Sequence, residues 1–312
     1  MEECLQDALQ RAPQFEGLDP HQLDTERLGG LTNLVYRVTH EDTPYVVRIP
    51  GEGTEEYIDR SVEAHNAREA AAAGVNAQVL YFDESDGLMV CSYLDGHKTM
   101  SPQAFRDDND AVARAGIAMQ RMHSSGRQFR FRFELFSMID EYLGVLQQLN
   151  CTLPDGYHDV VGEAQAVREA LASNPLPLAP CHNDPLCENF LDNGRVTRIV
   201  DWEYSGMNEP LWDVADLAVE AGLSHEQDLL LLDAYTSGTY GDAELGRMRI
   251  YKAMCDLLWT LWGLIQFAND NPADDFWAYS IERFERCKTL MAGKEFPDYL
   301  RFVRNGDAHP AA

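Results

Sequence analysis

Cys181-His182-Asn183-Asp184-Pro185-Leu186-Cys187-Glu188-Asn189-Phe190, followed by Arg198-Ile199-Val200-Asp201-Trp202-Glu203-Tyr204, decides how this chain is read. The first run holds H-x-D-x-x-x-x-N, and an aspartate closes an apolar run twelve residues after Asn189. Phosphoryl transfer calls for a carboxylate that orients the attacking hydroxyl and for oxygen ligands to Mg²⁺. Asp184 is the candidate to accept the hydroxyl proton. Asn189 and Asp201 are the candidate metal ligands, placed so that ions neutralise the charge developing on the transferred group.

Upstream, Leu34 to Val38 and Tyr45 to Ile49 are β-branched and aromatic runs separated by Glu-Asp-Thr-Pro, which predicts a hairpin with a proline-bearing turn. A helix is expected from about residue 55 to 73, capped by Thr54, with Glu55 and Glu56 at its positive end and Gly74 as its stop. Gln78 to Phe82 and Leu88 to Tyr93 read as two more strands around a turn-prone Asp83-Glu84-Ser85-Asp86-Gly87. After Asp95-Gly96 the periodicity becomes helical, over roughly 103 to 124, 133 to 149 and 158 to 173, then β-like from 180 to 201, then helical to the end. The expected fold is α+β and bilobal, with a β-rich lobe over 1–95 and a mainly helical lobe over 96–312, joined by a short hinge near Ser92 and Tyr93.

In the order of these elements and in its central motif the chain resembles the choline/ethanolamine kinase family, within the wider aminoglycoside-phosphotransferase-like group. The likeness runs from about Leu28 to Cys287 and implies a protein-kinase-like fold, ATP as donor and Mg²⁺ as cofactor. Leu28-Gly29-Gly30-Leu31-Thr32-Asn33 is similar to the glycine-bearing start of choline kinases, where glycines let backbone N–H groups approach phosphate. The resemblance therefore assigns Gly29, Gly30, Thr32 and Asn33 to the nucleotide, with Arg48 in the place of the phosphate-binding strand lysine and Ser92 and Tyr93 at the hinge. A cation in an apolar strand needs a carboxylate partner. Glu63 is the leading candidate and Glu69 the second. His182 is read as a structural hydrogen-bonding residue, and Asp213 as a brace for the catalytic loop.

The acceptor must be argued from the residues around it. Trp259 and Trp262 share a helix face, Tyr279 follows in the next helix, and aromatic faces with a carboxylate recognise quaternary ammonium groups. The resemblance places Tyr204, Glu220, Trp259, Trp262 and Tyr279 in such a pocket and implies choline as substrate, with ethanolamine or another amino-alcohol or aminoglycoside as alternative. Ordinary core packing is the competing reading of the tryptophans. A non-catalytic nucleotide-binding pseudokinase is the alternative from another class, and the joint presence of Asp184, Asn189 and Asp201 argues against it. Pro185 and Leu186, directly after Asp184, depart from the family pattern.

Composition bounds what remains. A formal charge of -27 repels nucleic acid and attracts cations. Seven cysteines without a CxxC pair favour a reduced, cytoplasmic protein, and the acidic N-terminus lacks the features of a secretory signal. Leu257 to Ala268, the most apolar long stretch, is too short to span a bilayer and reads as a core helix.

Overall fold

The computed structural model describes residues 2–29, 33–51 and 58–306. Its N-terminal part is an antiparallel five-stranded sheet in the order β1-β2-β3-β5-β4, formed by β1 (Asp24–Gly29), β2 (Leu34–His40), β3 (Thr43–Ile49), β4 (Val79–Phe82) and β5 (Met89–Ser92). Helix α1 (Glu3–Arg11) buries Leu5, Ala8 and Leu9 at helical spacing against Tyr36, Val38, Val47 and Val90 of the sheet. Helix α2 (Arg60–Ala72) contributes Ala67 and Ala70 to the larger core instead.

The hairpin is present, but its turn is Glu41-Asp42, both at positive φ (47° and 64°), as a two-residue connection matched to strand twist requires. Pro44 lies inside β3 opposite Thr39, before the stretch where β3 has neighbours on both sides, so its missing N–H interrupts no central ladder. Within the described residues α2 begins at Arg60, with Asp59 accepting from the Ser61 and Val62 amides; the predicted cap at Thr54 lies outside them. Strand β1 was not expected. Its run Asp24-Thr25-Glu26-Arg27, exposed except for the half-buried Thr25, carries no apolar alternation to mark it.

The remainder is mainly helical. The expected helix over 103 to 124 is two, α3 (Pro102–Asp107) and α4 (Asn109–His123), because Asp108 turns to cap the second through the Asp110 and Ala111 amides. Helix α5 (Leu135–Gln148) stands as predicted, whereas the stretch 158 to 173 divides at Ala164 into α6 (Tyr157–Glu163) and α7 (Gln165–Ser173). Short strands then frame the central motif: β6 (Lys98–Thr99), β8 (Phe190–Asp192) and β9 (Thr197–Ile199) form one sheet, and β7 (Ala179–Cys181) pairs with β10 (Gly206–Asn208). Helices α8 (Leu211–Glu220), α9 (His225–Thr236), α10 (Asp242–Ala268), α11 (Phe276–Met291) and α12 (Phe296–Asn305) complete the chain. No described helix is long and apolar enough to cross a membrane.

Helix α10 is the centre of the large core, and its crossing with α11 is close because Gly263 has no side chain. A Cβ there would stand 2.4 Å from Ser280 Oγ and 2.6 Å from Tyr279 Cδ1. Gly263→Ala is therefore expected to lower stability by about 1–3 kcal/mol through overpacking and to displace the Tyr279 ring. A thermal melt combined with the change in Tyr279 environment by NMR or crystallography measures both.

Candidate active site

Arg48 of β3 is 4% exposed and is held between two carboxylates from elsewhere in the chain. Its guanidinium pairs with Glu63 of α2 and reaches Asp201 Oδ1 at 3.1 Å. Glu69 pairs instead with Arg127 at 3.2 Å, so the helix face that meets β3 carries Glu63. Arg60 extends the group, lying 2.7 Å from Glu63 and 3.5 Å from Glu203. Gly29 ends β1 at φ 133°, a conformation reserved for glycine, and Asn33 is buried with its amide 3.5 Å from Glu203. Gly30 and Thr32 lie outside the described residues. Ser92 spends its hydroxyl on the Gln78 amide at 3.1 Å, and Tyr93 lies under the Arg37 guanidinium.

The loop between β7 and β8 carries Asp184. Its shape is fixed from several sides. Asp213 of α8 accepts from the His182 amide at 2.7 Å and the Asn183 amide at 2.8 Å, while His123 bonds the same carboxylate at 2.9 Å. Asn183, at φ 69°, is held through its side chain by the Tyr204 carbonyl and the Asn208 amide and through its carbonyl by the Trp212 indole. His182 donates from Nε2 to the Val200 carbonyl at 2.9 Å, and burial lowers its pKa, so the ring is a neutral support. Leu186 N returns to the Asp184 carbonyl at 2.8 Å, a three-residue turn centred on Pro185 that suits a residue with fixed φ. The departure at Pro185 thus shapes the loop.

Asn189 donates from Nδ2 to the Asp184 carbonyl at 3.1 Å, which leaves its Oδ1 as the free ligand atom. Asp201, two residues beyond the end of β9, adopts φ 65°, and Glu63, Asp201 and Glu203 bring carboxylate oxygens within 4.8 Å of one another. Burial and the Asp201 charge push Glu203 up to about 7, against the pull of Arg48 and Arg60. Asp184 is raised well above the usual carboxylate range, chiefly by burial and then by Glu220, Asp201 and Glu203, with Arg283 opposing. Negative charge here exceeds what the two arginines compensate. Such a set of hard oxygen donors fits Mg²⁺.

Tyr204, Trp259, Trp262, Tyr279 and Glu220 also come together. Tyr204 and Trp259 meet edge to face at 5.9 Å, Trp262 and Tyr279 at 5.8 Å, and the Trp262 indole donates to the Tyr204 hydroxyl at 3.2 Å. Trp259 is only 4% exposed and gives its N–H to Asp216, so it belongs to the core as well as to the cluster. Sequence reading missed Glu203, Asp216 and Arg283. Glu203 stood in the quoted motif two places after Asp201; the other two are identified only by what they touch.

Residues 25–251 match the phosphotransferase enzyme family, and the chain belongs to it. Within that group it belongs to the choline/ethanolamine kinase family: it is 56% identical to a solved protein of that family from Mesorhizobium loti, over 97% of this chain and 98% of the other, with a TM-score of 0.88. The choline kinase LicA from Streptococcus pneumoniae is 26% identical over 86% of this chain and 94% of its own, with a TM-score of 0.72. Ethanolamine kinase 2 of Mus musculus is 27% identical over 89% of this chain and 80% of its own length. The chain is an ATP-dependent small-molecule kinase, and its fold is that of these kinases.

Because Asp213 holds two loop amides as a buried acceptor, Asp213→Asn replaces charge-assisted bonds by weaker ones. The expected loss is about 1–3 kcal/mol of stability together with a fall in kcat that exceeds the change in KM for ATP. Denaturant unfolding and steady-state kinetics on one preparation give both values.

Proposed function

We propose that this kinase transfers the γ-phosphoryl group of ATP to the hydroxyl of choline, giving phosphocholine and ADP. The observation that carries the acceptor is the convergence of Tyr204, Trp259, Trp262 and Tyr279 with Glu220 on the same side of the molecule as Asp184, whose carboxyl feels the Glu220 charge. Aromatic faces attract a trimethylammonium group and a carboxylate adds Coulomb attraction, while the hydroxyl two carbons away would point to Asp184. The two named relatives, a choline kinase and an ethanolamine kinase, match at nearly equal identity and leave this choice to the pocket.

In this reading Asp184 accepts the hydroxyl proton, and its raised affinity for protons suits it to that task. Asn189 and Asp201 would hold Mg²⁺, which supplies charge neutralisation at the phosphates. Arg48, oriented by Glu63, contributes a fixed cation toward the nucleotide, and Gly29 and Asn33 line the approach from β1 and β2. Gly30, Thr32, Ser92 and Tyr93 stay in the proposed nucleotide set, the hinge pair through backbone groups, since the Ser92 hydroxyl is already engaged. We place the division between the two lobes at 95/96.

A coupled ADP-release assay across choline, ethanolamine, thiamine and an aminoglycoside panel decides the acceptor. Choline is expected to give the highest kcat/KM; faster turnover of an aminoglycoside would sink the assignment. Asp184→Asn is expected to lower kcat by roughly a hundred- to ten-thousandfold while nucleotide still binds. Trp262→Ala should raise KM for choline by roughly five- to thirtyfold, the equivalent of about 1–2 kcal/mol of cation–π attraction, with little effect on KM for ATP. Equal effects on both substrates would make the tryptophan a packing residue only.

A further inference from the structure

Helix α8 carries Asp216 and Glu220 four residues apart, so the two carboxylates stand one above the other on a single helix face. That face meets α10, where the Trp259 indole donates to Asp216 Oδ2 at 3.2 Å, and α11, where Arg283 pairs with Glu220. Asp216 is wholly buried, and its other oxygen, Oδ1, has no aligned hydrogen-bond donor among the described residues. The Cys255 thiol of α10 also lies against Asp216, but a thiol is a weak donor. Glu220 repeats the pattern. Arg283 Nη2 donates to its Oε2 at 2.9 Å, whereas Oε1 has Nη1 at 2.7 Å as an ion pair and no aligned hydrogen bond.

A buried acceptor without a donor is unfavourable, and two of them on adjacent turns ask for a donor from outside the chain. Their surroundings say what kind. Burial, then the charges of Glu220 and Asp184, make Asp216 hold a proton more tightly than usual, with Arg283 opposing. The Tyr279 phenol, pushed up by burial against the pull of Arg283, feels Glu220, Asp184 and Asp216 together. Asp216 thus belongs to the same group of charges as the pocket carboxylate and the candidate base, and it is bonded to a ring of the aromatic cluster. An ammonium head arriving there takes the place of the proton. A trimethylammonium group meets only the field and the aromatic faces, since it has no N–H. A primary ammonium brings three donors, and Asp216 Oδ1 and Glu220 Oε1 are the acceptors left open to them.

We propose that Asp216 is a further acceptor-binding and specificity-determining residue: with Trp259 holding Oδ2, it offers Oδ1 to the pocket and, beside Glu220 Oε1, receives the N–H donors of protonated amino-alcohols. Choline, bound through field and rings, makes no use of that oxygen, so one pocket serves acceptors with and without N–H. The proposal deepens the choline reading above and rests on it for the location of the pocket.

The test compares wild type and Asp216→Asn in kcat/KM for ethanolamine, N-methylethanolamine, N,N-dimethylethanolamine and choline, whose heads carry three, two, one and no N–H, alongside KM for ATP. In the variant the Trp259 indole still needs an acceptor and claims the amide oxygen, so the amide NH₂ stands where Oδ1 was and opposes the N–H donors of the substrate. The ratio of ethanolamine to choline efficiency is expected to fall roughly ten- to thirtyfold, the effect of losing one charge-assisted hydrogen bond. The two methylated acceptors should fall between them in order of their N–H count, and KM for ATP should hold. A merely structural role moves all four acceptors by one factor; that result, or a larger loss for choline than for ethanolamine, overturns the proposal. Should the variant fail to fold, as judged by its melting curve, a crystal structure of the wild type with ethanolamine decides. An ammonium nitrogen within about 3.2 Å of Asp216 Oδ1 upholds the proposal, and one seated away from it overturns it. A wild type that prefers ethanolamine overturns choline as the preferred acceptor, while a graded loss in Asp216→Asn still upholds this proposal. An equal loss across the series, in an enzyme that prefers choline, overturns this proposal alone.

Discussion

The buried guanidinium of Arg48 is the constraint on which the arrangement of the site depends. A charge inside an apolar strand is tolerated only when paired, and removing one partner of a buried pair leaves an uncompensated ion at a cost of about 3–5 kcal/mol. Its partners come from α2 and from Asp201 in the segment that follows β9. Sheet, helix and the segment that carries the candidate metal ligand Asp201 are thus committed to one mutual position by a single side chain. Arg60, which reaches both Glu63 and Glu203, repeats the tie one step away. Hydrophobic contacts alone would hold α2 against the core through its alanines, but alanine packing is tolerant of small slides; directed ionic bonds are not.

Strain is held in the same place. Asn183 and Asp201, both non-glycine residues at positive φ, bracket the segment that carries Asp184 and Asn189. Each such conformation is unfavourable by itself and persists where surrounding bonds over-determine it. Asn183 has bonds to Tyr204, Asn208 and Trp212 and an amide held by Asp213; Asp201 has Arg48. The loop is set before any substrate arrives, which is what a reaction governed by positioning and electrostatics requires.

How much of this could be read in the sequence varied with the kind of interaction. The motif around Asp184 was legible because its residues are close in the chain and have a chemical reason for their order. Strands β2 to β5 were legible because β-branched runs between turn residues mark them. Strand β1 was not, since it is recruited by pairing with β2 while its own side chains, Thr25 apart, stay exposed. Helix boundaries at Asp108 and Ala164 were hidden inside continuous periodicity. The choice between Glu63 and Glu69 needed the helix rotation, and Arg283 needed a contact across 63 positions of sequence with Glu220. Long-range ion pairs leave no local pattern.

The overall charge of the chain said little about its substrate, yet the distribution of that charge says more. Around the candidate acceptor pocket stand Asp184, Asp216, Glu220 and Asp256, against the guanidinium groups of Arg283 and Arg286. Around the candidate metal ligands stand Glu63, Asp201 and Glu203, against Arg48 and Arg60. In both groups carboxylates outnumber cations, and burial denies the excess any relief from water, so Asp184, Asp216 and Glu203 hold protons more tightly than usual. A proton is the smallest cation that can answer such an excess. A divalent ion in one group and an ammonium head in the other answer it better, because each satisfies several oxygens or a whole field at once and leaves Asp184 free to take the hydroxyl proton. The internal arginines then set how much negative charge is left over. They make each group acidic enough to draw in a cation and compensated enough to fold without one.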